Sequence, residues 1–85
     1  MKRKSWTVYI VETRLKSLYT GIALDVRERL KKHTENVGSR YLRGKAPLKL
    51  VYSEKHPTKS SALKREAEIK DLSRSQKDLL IKNNA

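Results

Sequence analysis

Trp6-Thr7-Val8-Tyr9-Ile10-Val11-Glu12, followed after five residues by Leu18-Tyr19-Thr20-Gly21-Ile22-Ala23, is the stretch on which the fold turns. From Ser5 to Glu12 the chain alternates with a period of two. Trp6, Val8 and Ile10 lie on one face and Thr7, Tyr9 and Val11 on the other, the pattern of a strand buried on both sides. Leu18 to Ala23 reads as a second strand. The polar link Thr13 to Ser17 is short enough to pair the two as an antiparallel hairpin. That pairing puts Tyr9 and Tyr19 on neighbouring strands.

Downstream of the hairpin, Asp25 with Glu28 three residues on has the form of a capping box and starts a helix through Val26, Arg29, Leu30 and His33. Asn36 to Gly38 stops it. Gly38 to Pro47 is basic and bounded by glycine, which predicts a loop with Arg40, Arg43 and Lys45 placed to meet phosphates. Leu48, Leu50 and Tyr52 alternate with Lys49, Val51 and Ser53, predicting a third strand that ends near Glu54, and His56-Pro57 breaks the chain. A long helix follows from Lys59 to about Leu72. Ser73 with Gln76 repeats the capping-box spacing and opens a last helix through Ile81. The expected architecture is α+β in the order ββαβαα: a three-stranded sheet, made of the antiparallel hairpin and a third strand, flanked by helices. Residues 1–85 read as one domain with a core over about 5–82 and a basic N-terminal arm over 1–4.

With 36% hydrophobic and 35% charged residues, the composition suits a folded domain with a charged surface. Lys and Arg number 21 against 9 Asp and Glu, for a net charge of +12, more than solubility requires. Residues 1–50 carry 13 basic and 4 acidic side chains, so the positive field belongs mainly to the first half. A polyanion is the natural partner. The absence of cysteine excludes disulfides, thiolate nucleophiles and cysteine-ligated zinc. No apolar run approaches a membrane span, and Lys2-Arg3-Lys4 is not followed by the apolar core of a signal peptide. The expected location is therefore cytoplasmic, with no membrane partner.

Two charges fall where apolar residues belong. On the first helix Val26, Arg29, Leu30 and His33 share a face, so Arg29 interrupts a core stripe. On the long helix Ala62, Glu66, Ile69 and Leu72 follow the same spacing, which turns Glu66 inward, while Glu68 lies about 200° away on the wheel. A buried carboxylate must be paired, protonated or holding a cation. Arg29 and Glu66 either form a buried salt bridge or flank a site. Tyr9, Tyr19 and His33 taken singly are ordinary core or surface residues.

Taken together these residues resemble the GIY-YIG nuclease superfamily, whose domains open with a Gly-Ile-Tyr strand and a Tyr-Ile-Gly strand. A helix carrying Arg and His four residues apart follows, and then a metal-binding Glu on a later helix. The matching residues are Thr7-Val8-Tyr9, Tyr19-Thr20-Gly21, Arg29, His33 and Glu66. Tyr41-Leu42-Arg43-Gly44 and Ile69-Lys70 add a likeness to the short, standalone, largely uncharacterised bacterial proteins of the superfamily. Thr7, Val8 and Thr20 depart from the family's glycine and isoleucines, and Ala23 from a frequent hydroxyl residue.

The resemblance implies a metal-dependent endonuclease that hydrolyses DNA phosphodiester bonds, with Tyr9, Tyr19, Arg29, His33 and Glu66 as catalytic residues. Glu66 would hold one divalent ion, Mg²⁺ or Mn²⁺. Lys2, Arg3, Lys4, Arg40, Arg43 and Lys45 would bind the nucleic acid, DNA ahead of RNA, with a protein partner for targeting as a further expectation. The alternative is a catalytically silent DNA- or RNA-binding module of the same fold. The complete five-residue set favours catalysis, and the altered first motif favours binding alone.

Overall fold

The computed structural model describes residues 5–34 and 47–84, without the side chains of 32–34. Three strands, β1 (Trp6–Glu12), β2 (Leu18–Ala23) and β3 (Lys49–His56), form one sheet in the order β2-β1-β3. Both pairings are antiparallel. The helices are α1 (Val26–Thr34), α2 (Lys59–Lys70) and α3 (Arg74–Asn83). The expected α+β order ββαβαα therefore holds. The expected stop at Asn36 to Gly38 and nearly all of the Gly38 to Pro47 loop fall outside the described residues, as does the arm Lys2 to Lys4.

β1 is central, which explains why both of its faces are apolar. Val8 and Ile10 pack with Tyr52, Ala62 and Ile69, so α2 covers one face, and Leu80 and Ile81 of α3 join at its margin. Tyr9, Val11 and Ala23 form a second cluster on the other face, closed by Val26 and Leu30 of α1 and by Leu48. Each fully buried aliphatic side chain here stabilises the fold by about 1.5–3 kcal/mol.

The third strand departs from expectation in two ways. It runs on to His56, so the break begins at Pro57 and not before His56. Its simple alternation also fails, because Ile10 pairs with Tyr52 while Val11 pairs with Leu50, which leaves Val51 as the extra residue of a bulge. Val51 and Tyr52 consequently both pack against the α2 face. The long helix ends at Lys70, two residues earlier than the periodicity predicts. Asp71 caps it, with its N–H on the carbonyls of Ala67 and Ile69. The chain is thereby freed for the α3 capping box, in which Ser73 Oγ accepts from Gln76 N–H at 3.2 Å and Gln76 Oε1 accepts from Ser73 N–H at 2.9 Å.

The hairpin loop is built by Thr13, whose carbonyl accepts from Lys16 N–H at 2.9 Å and whose hydroxyl lies 2.7 Å from Ser17 Oγ. Lys16 pays for that geometry with a φ of 66°. Its carbonyl accepts from Arg74 Nη1 at 2.7 Å, which ties α3 to the loop. A side chain in this left-handed conformation costs roughly 1 kcal/mol that glycine avoids. Lys16→Gly is therefore expected to raise stability by about 0.5–1 kcal/mol in urea unfolding, and a loss of stability would contradict this account.

Candidate active site

The hairpin register places Tyr9 opposite Gly21 and Val11 opposite Tyr19, so all four lie on the α1 face. Tyr9 is 1% exposed. Its ring crosses β2 at Gly21, where an added Cβ would stand 2.7 Å from the Tyr9 hydroxyl and 2.9 Å from Cζ. The same Cβ would lie 3.2 Å from Tyr19 Cε1. Gly21 is thus the gap through which Tyr9 reaches the edge of the sheet beside Tyr19. A glycine inside a strand is itself a signal of such close approach.

Arg29 comes to this hydroxyl from α1. It is exposed, which corrects the expectation that it interrupts a buried stripe. Val26 and Leu30 cover the Tyr9 cluster, and Arg29 stands on the flank of that contact. From there its stem can run along protein surface while the guanidinium stays in water. Its guanidinium bears on the Tyr9 phenol as a hydrogen-bonding and charged neighbour. The alternative of a buried Arg29–Glu66 salt bridge is not what is observed, because the ion pair that Glu66 makes is with Lys70, at 3.6 Å. Glu66 is 19% exposed and Glu68 60%, so the two carboxylates of α2 do point in different directions.

Tyr9 reports the electrostatics of this corner. Burial pushes its phenol above the ordinary 10.0, the charge of Tyr19 adds to the rise, and the hydrogen bond and charge of Arg29 pull against it. The charge of Glu66 acts as a weaker upward influence. Tyr19 of β2, Arg29 of α1 and Glu66 of α2 thus all act on the Tyr9 phenol of β1 through their charges. His33 lies in α1 with its side chain outside the description. Among the described residues no group of three His, Cys, Asp or Glu side chains is arranged to hold a metal. Glu66 is a lone carboxylate, a donor set that fits a hydrated Mg²⁺-like ion completed by water and substrate oxygens better than a protein-caged one.

A second polar cluster lies on the α2 face, where sequence reasoning saw nothing. Arg65 Nε donates to Glu54 Oε1 at 2.7 Å, and His56 Nε2 stands 3.6 Å from the same oxygen, too far for a hydrogen bond. His56 Nδ1 is 3.0 Å from Ser61 Oγ. His56 thus helps seat the start of α2, and the two-residue extension of β3 is what brings it there. Burial would raise the Glu54 carboxyl, but the hydrogen bond and charge of Arg65, helped by the neighbouring Tyr52 and His56, hold it below its ordinary 4.5. A lowered carboxyl contributes stability that is complete above its unfolded value and lost as pH falls through its folded value. Glu54→Gln should therefore flatten the fall of unfolding free energy with pH below 4.5, as followed by circular dichroism at graded urea; an unchanged slope would rule this carboxylate out.

A hairpin nuclease fold with clustered tyrosines, a helical Arg and a half-buried helical Glu defines a class, and the GIY-YIG catalytic domain model matches residues 5–78: the chain belongs to the GIY-YIG family. Within it, a UPF0213 protein of Staphylococcus aureus strain MW2 is 51% identical over 88% of this chain and 92% of the relative. The solution NMR structure of a UPF0213 protein from Bacillus halodurans shares 41% identity and a TM-score of 0.61, covering 92% of this chain and 83% of that one. A second NMR structure, of a protein from E. faecalis, shares 32% identity and a TM-score of 0.67, over 96% and 88% of the two chains. Family membership carries nucleic-acid binding and divalent-ion chemistry as general properties of the class. Among the described residues no helix is long and apolar enough to cross a membrane.

Proposed function

We propose that the chain is a metal-dependent endonuclease that hydrolyses DNA phosphodiester bonds, working in the cytoplasm through Tyr9, Tyr19, Arg29, His33 and Glu66. The observation that carries this reading is the Tyr9 hydroxyl standing in the gap at Gly21 beside Tyr19, with the charges of Arg29 and Glu66 both acting on it. Hydrolysis proceeds by in-line attack of water on phosphorus, with charge growing on the phosphoryl oxygens. Arg29 answers that charge with the planar fork that suits phosphate. Tyr9, its phenol raised above 10.0, stays protonated at neutral pH, so it orients the attacking water by hydrogen bonding. Tyr19 would border the same water, and His33 would share the proton transfer. Glu66 would hold one Mg²⁺ or Mn²⁺, which supplies Lewis-acid stabilisation of the phosphoryl oxygens. Lys2 to Lys4, Arg40, Arg43 and Lys45 would track the backbone without reading bases, which leaves target choice to substrate shape or to a protein partner.

The altered Thr7-Val8 motif supports the second reading, a silent binding module. Supercoiled, branched and single-stranded DNA and RNA, each incubated with purified protein with and without Mg²⁺ or Mn²⁺, separate the two. Metal-dependent strand breaks support the nuclease; salt-sensitive binding to every substrate with no cleavage in either metal supports the module.

A further inference from the structure

A cleft of about 500 Å³ runs past the end of β2, and Arg29 is part of its wall. Across from the α1 residues stand Trp6, at the start of β1, and Lys59, at the start of α2. Lys59 Nζ lies 5.3 Å from the centre of the Trp6 ring, a cation–π distance. This contact orients an exposed lysine that would otherwise sample many rotamers, and it holds the ammonium at the rim of the cleft. Neither residue is used by the mechanism above.

The placement of Lys59 is unfavourable for the helix that carries it. It follows the N-cap Thr58, and the first turn of α2 holds no acidic residue, so a cation sits at the positive end of the helix dipole. An anion at this rim would relieve that repulsion. The facing wall carries two carboxylates, Asp25 just before α1 and Glu28 within it, and Asp25 Oδ1 accepts from Glu28 N–H at 3.1 Å. Those charges disfavour a phosphate on their own side and leave the Lys59 side as the place for one.

We propose that Trp6 and Lys59 form a subsite for the nucleotide that flanks the phosphodiester held by Arg29, with Lys59 moving from the indole onto its phosphate and the ring face thereby uncovered meeting its base. The subsite rests on the nucleic-acid reading above and deepens it, since neither residue belongs to the five-residue set. Lys59 is a positioning residue: it fixes where the strand lies relative to Arg29 and does not touch the reacting atoms. Stacking on an aromatic side chain tolerates every base, so the subsite adds grip without sequence preference.

Trp6 is the one tryptophan of the chain, so its emission, excited at a wavelength the four tyrosines do not absorb, reports this position. Short oligodeoxynucleotides, single-stranded and duplex, are titrated in the presence of a chelator so that no cleavage occurs. Affinity is read independently from the anisotropy of a labelled strand. Binding is expected to quench Trp6 in parallel with the anisotropy rise for at least one of the two forms. Lys59→Ala should weaken binding roughly 3- to 10-fold at moderate salt and reduce the slope of log affinity against log salt by about 0.7–0.9, the loss of one phosphate contact. Lys64→Ala, which removes an exposed lysine of α2 outside the cleft, should leave the slope unchanged. Binding without quenching, or a Lys59→Ala slope equal to wild type, overturns the subsite. Binding that meets both expectations in a protein that cuts nothing when Mg²⁺ is restored leaves the subsite standing and removes the nuclease reading. Absence of binding overturns both.

Discussion

Arg29→Ala is expected to lower metal-dependent strand cleavage by about 10²–10³-fold, the usual cost of removing one preorganised group that meets transition-state charge. The loss should fall on kcat, because charge on the phosphoryl oxygens grows as the bond breaks; a rise in KM alone would mark Arg29 as a binding residue. Stability should change by less than about 0.5 kcal/mol, since Arg29 is exposed and its neighbours Val26 and Leu30 carry the packing of α1. Arg29 also holds the Tyr9 phenol down against burial, so its removal should send the Tyr9 titration still higher in an ultraviolet pH scan. That readout is independent of catalysis. Plasmid nicking that falls less than tenfold in Arg29→Ala would remove Arg29 from the mechanism.

Gly21→Ala is the second large effect. The new methyl would meet the Tyr9 hydroxyl at 2.7 Å and Cζ at 2.9 Å. The end of a tyrosine can usually swing aside, but this ring is 1% exposed and packed with Val11 and Ala23, so either the ring or β2 must shift. Overpacking of this kind costs about 1–3 kcal/mol. Because the displaced atom is the hydroxyl proposed to orient water, cleavage should fall with stability. Tyr9→Phe removes the nearer of the two clashing atoms, so the double variant should be less destabilised than the sum of the single changes by about 0.5–1 kcal/mol. Strict additivity in thermal or urea unfolding would show that Tyr9 does not occupy the space at Gly21.

Legibility of the site followed the kind of signal each residue carries. Tyr9 and Tyr19 were legible as strand residues, because two-residue alternation and a five-residue link determine which positions become neighbours. Glu66 was legible as inward-facing from its place between Ala62 and Ile69 on α2, and it is 19% exposed, half-buried rather than fully so. Arg29 was misplaced by the same logic. A helical wheel treats every residue on a stripe as equally covered, whereas in the nine-residue α1 Val26 and Leu30 pack against the sheet and Arg29, between them in sequence, stays exposed. His56 was missed because a histidine before proline has no periodicity to read; its contact with Ser61 exists only once β3 and α2 are packed.

The chain's own chemistry determined the element order, the hairpin, two of the caps and the cationic surface, since all of these depend on contacts within a few residues or on composition. The bulge at Val51, the exposure of Arg29, the Glu54–Arg65 pair and the gap at Gly21 were decided only by the tertiary structure. Each of them joins residues distant in sequence through the packing of side chains across the sheet. A local pattern carries no information about the volume left over when two elements meet. For Gly21, the sequence shows a missing side chain, and the fold shows that Tyr9 fills its place.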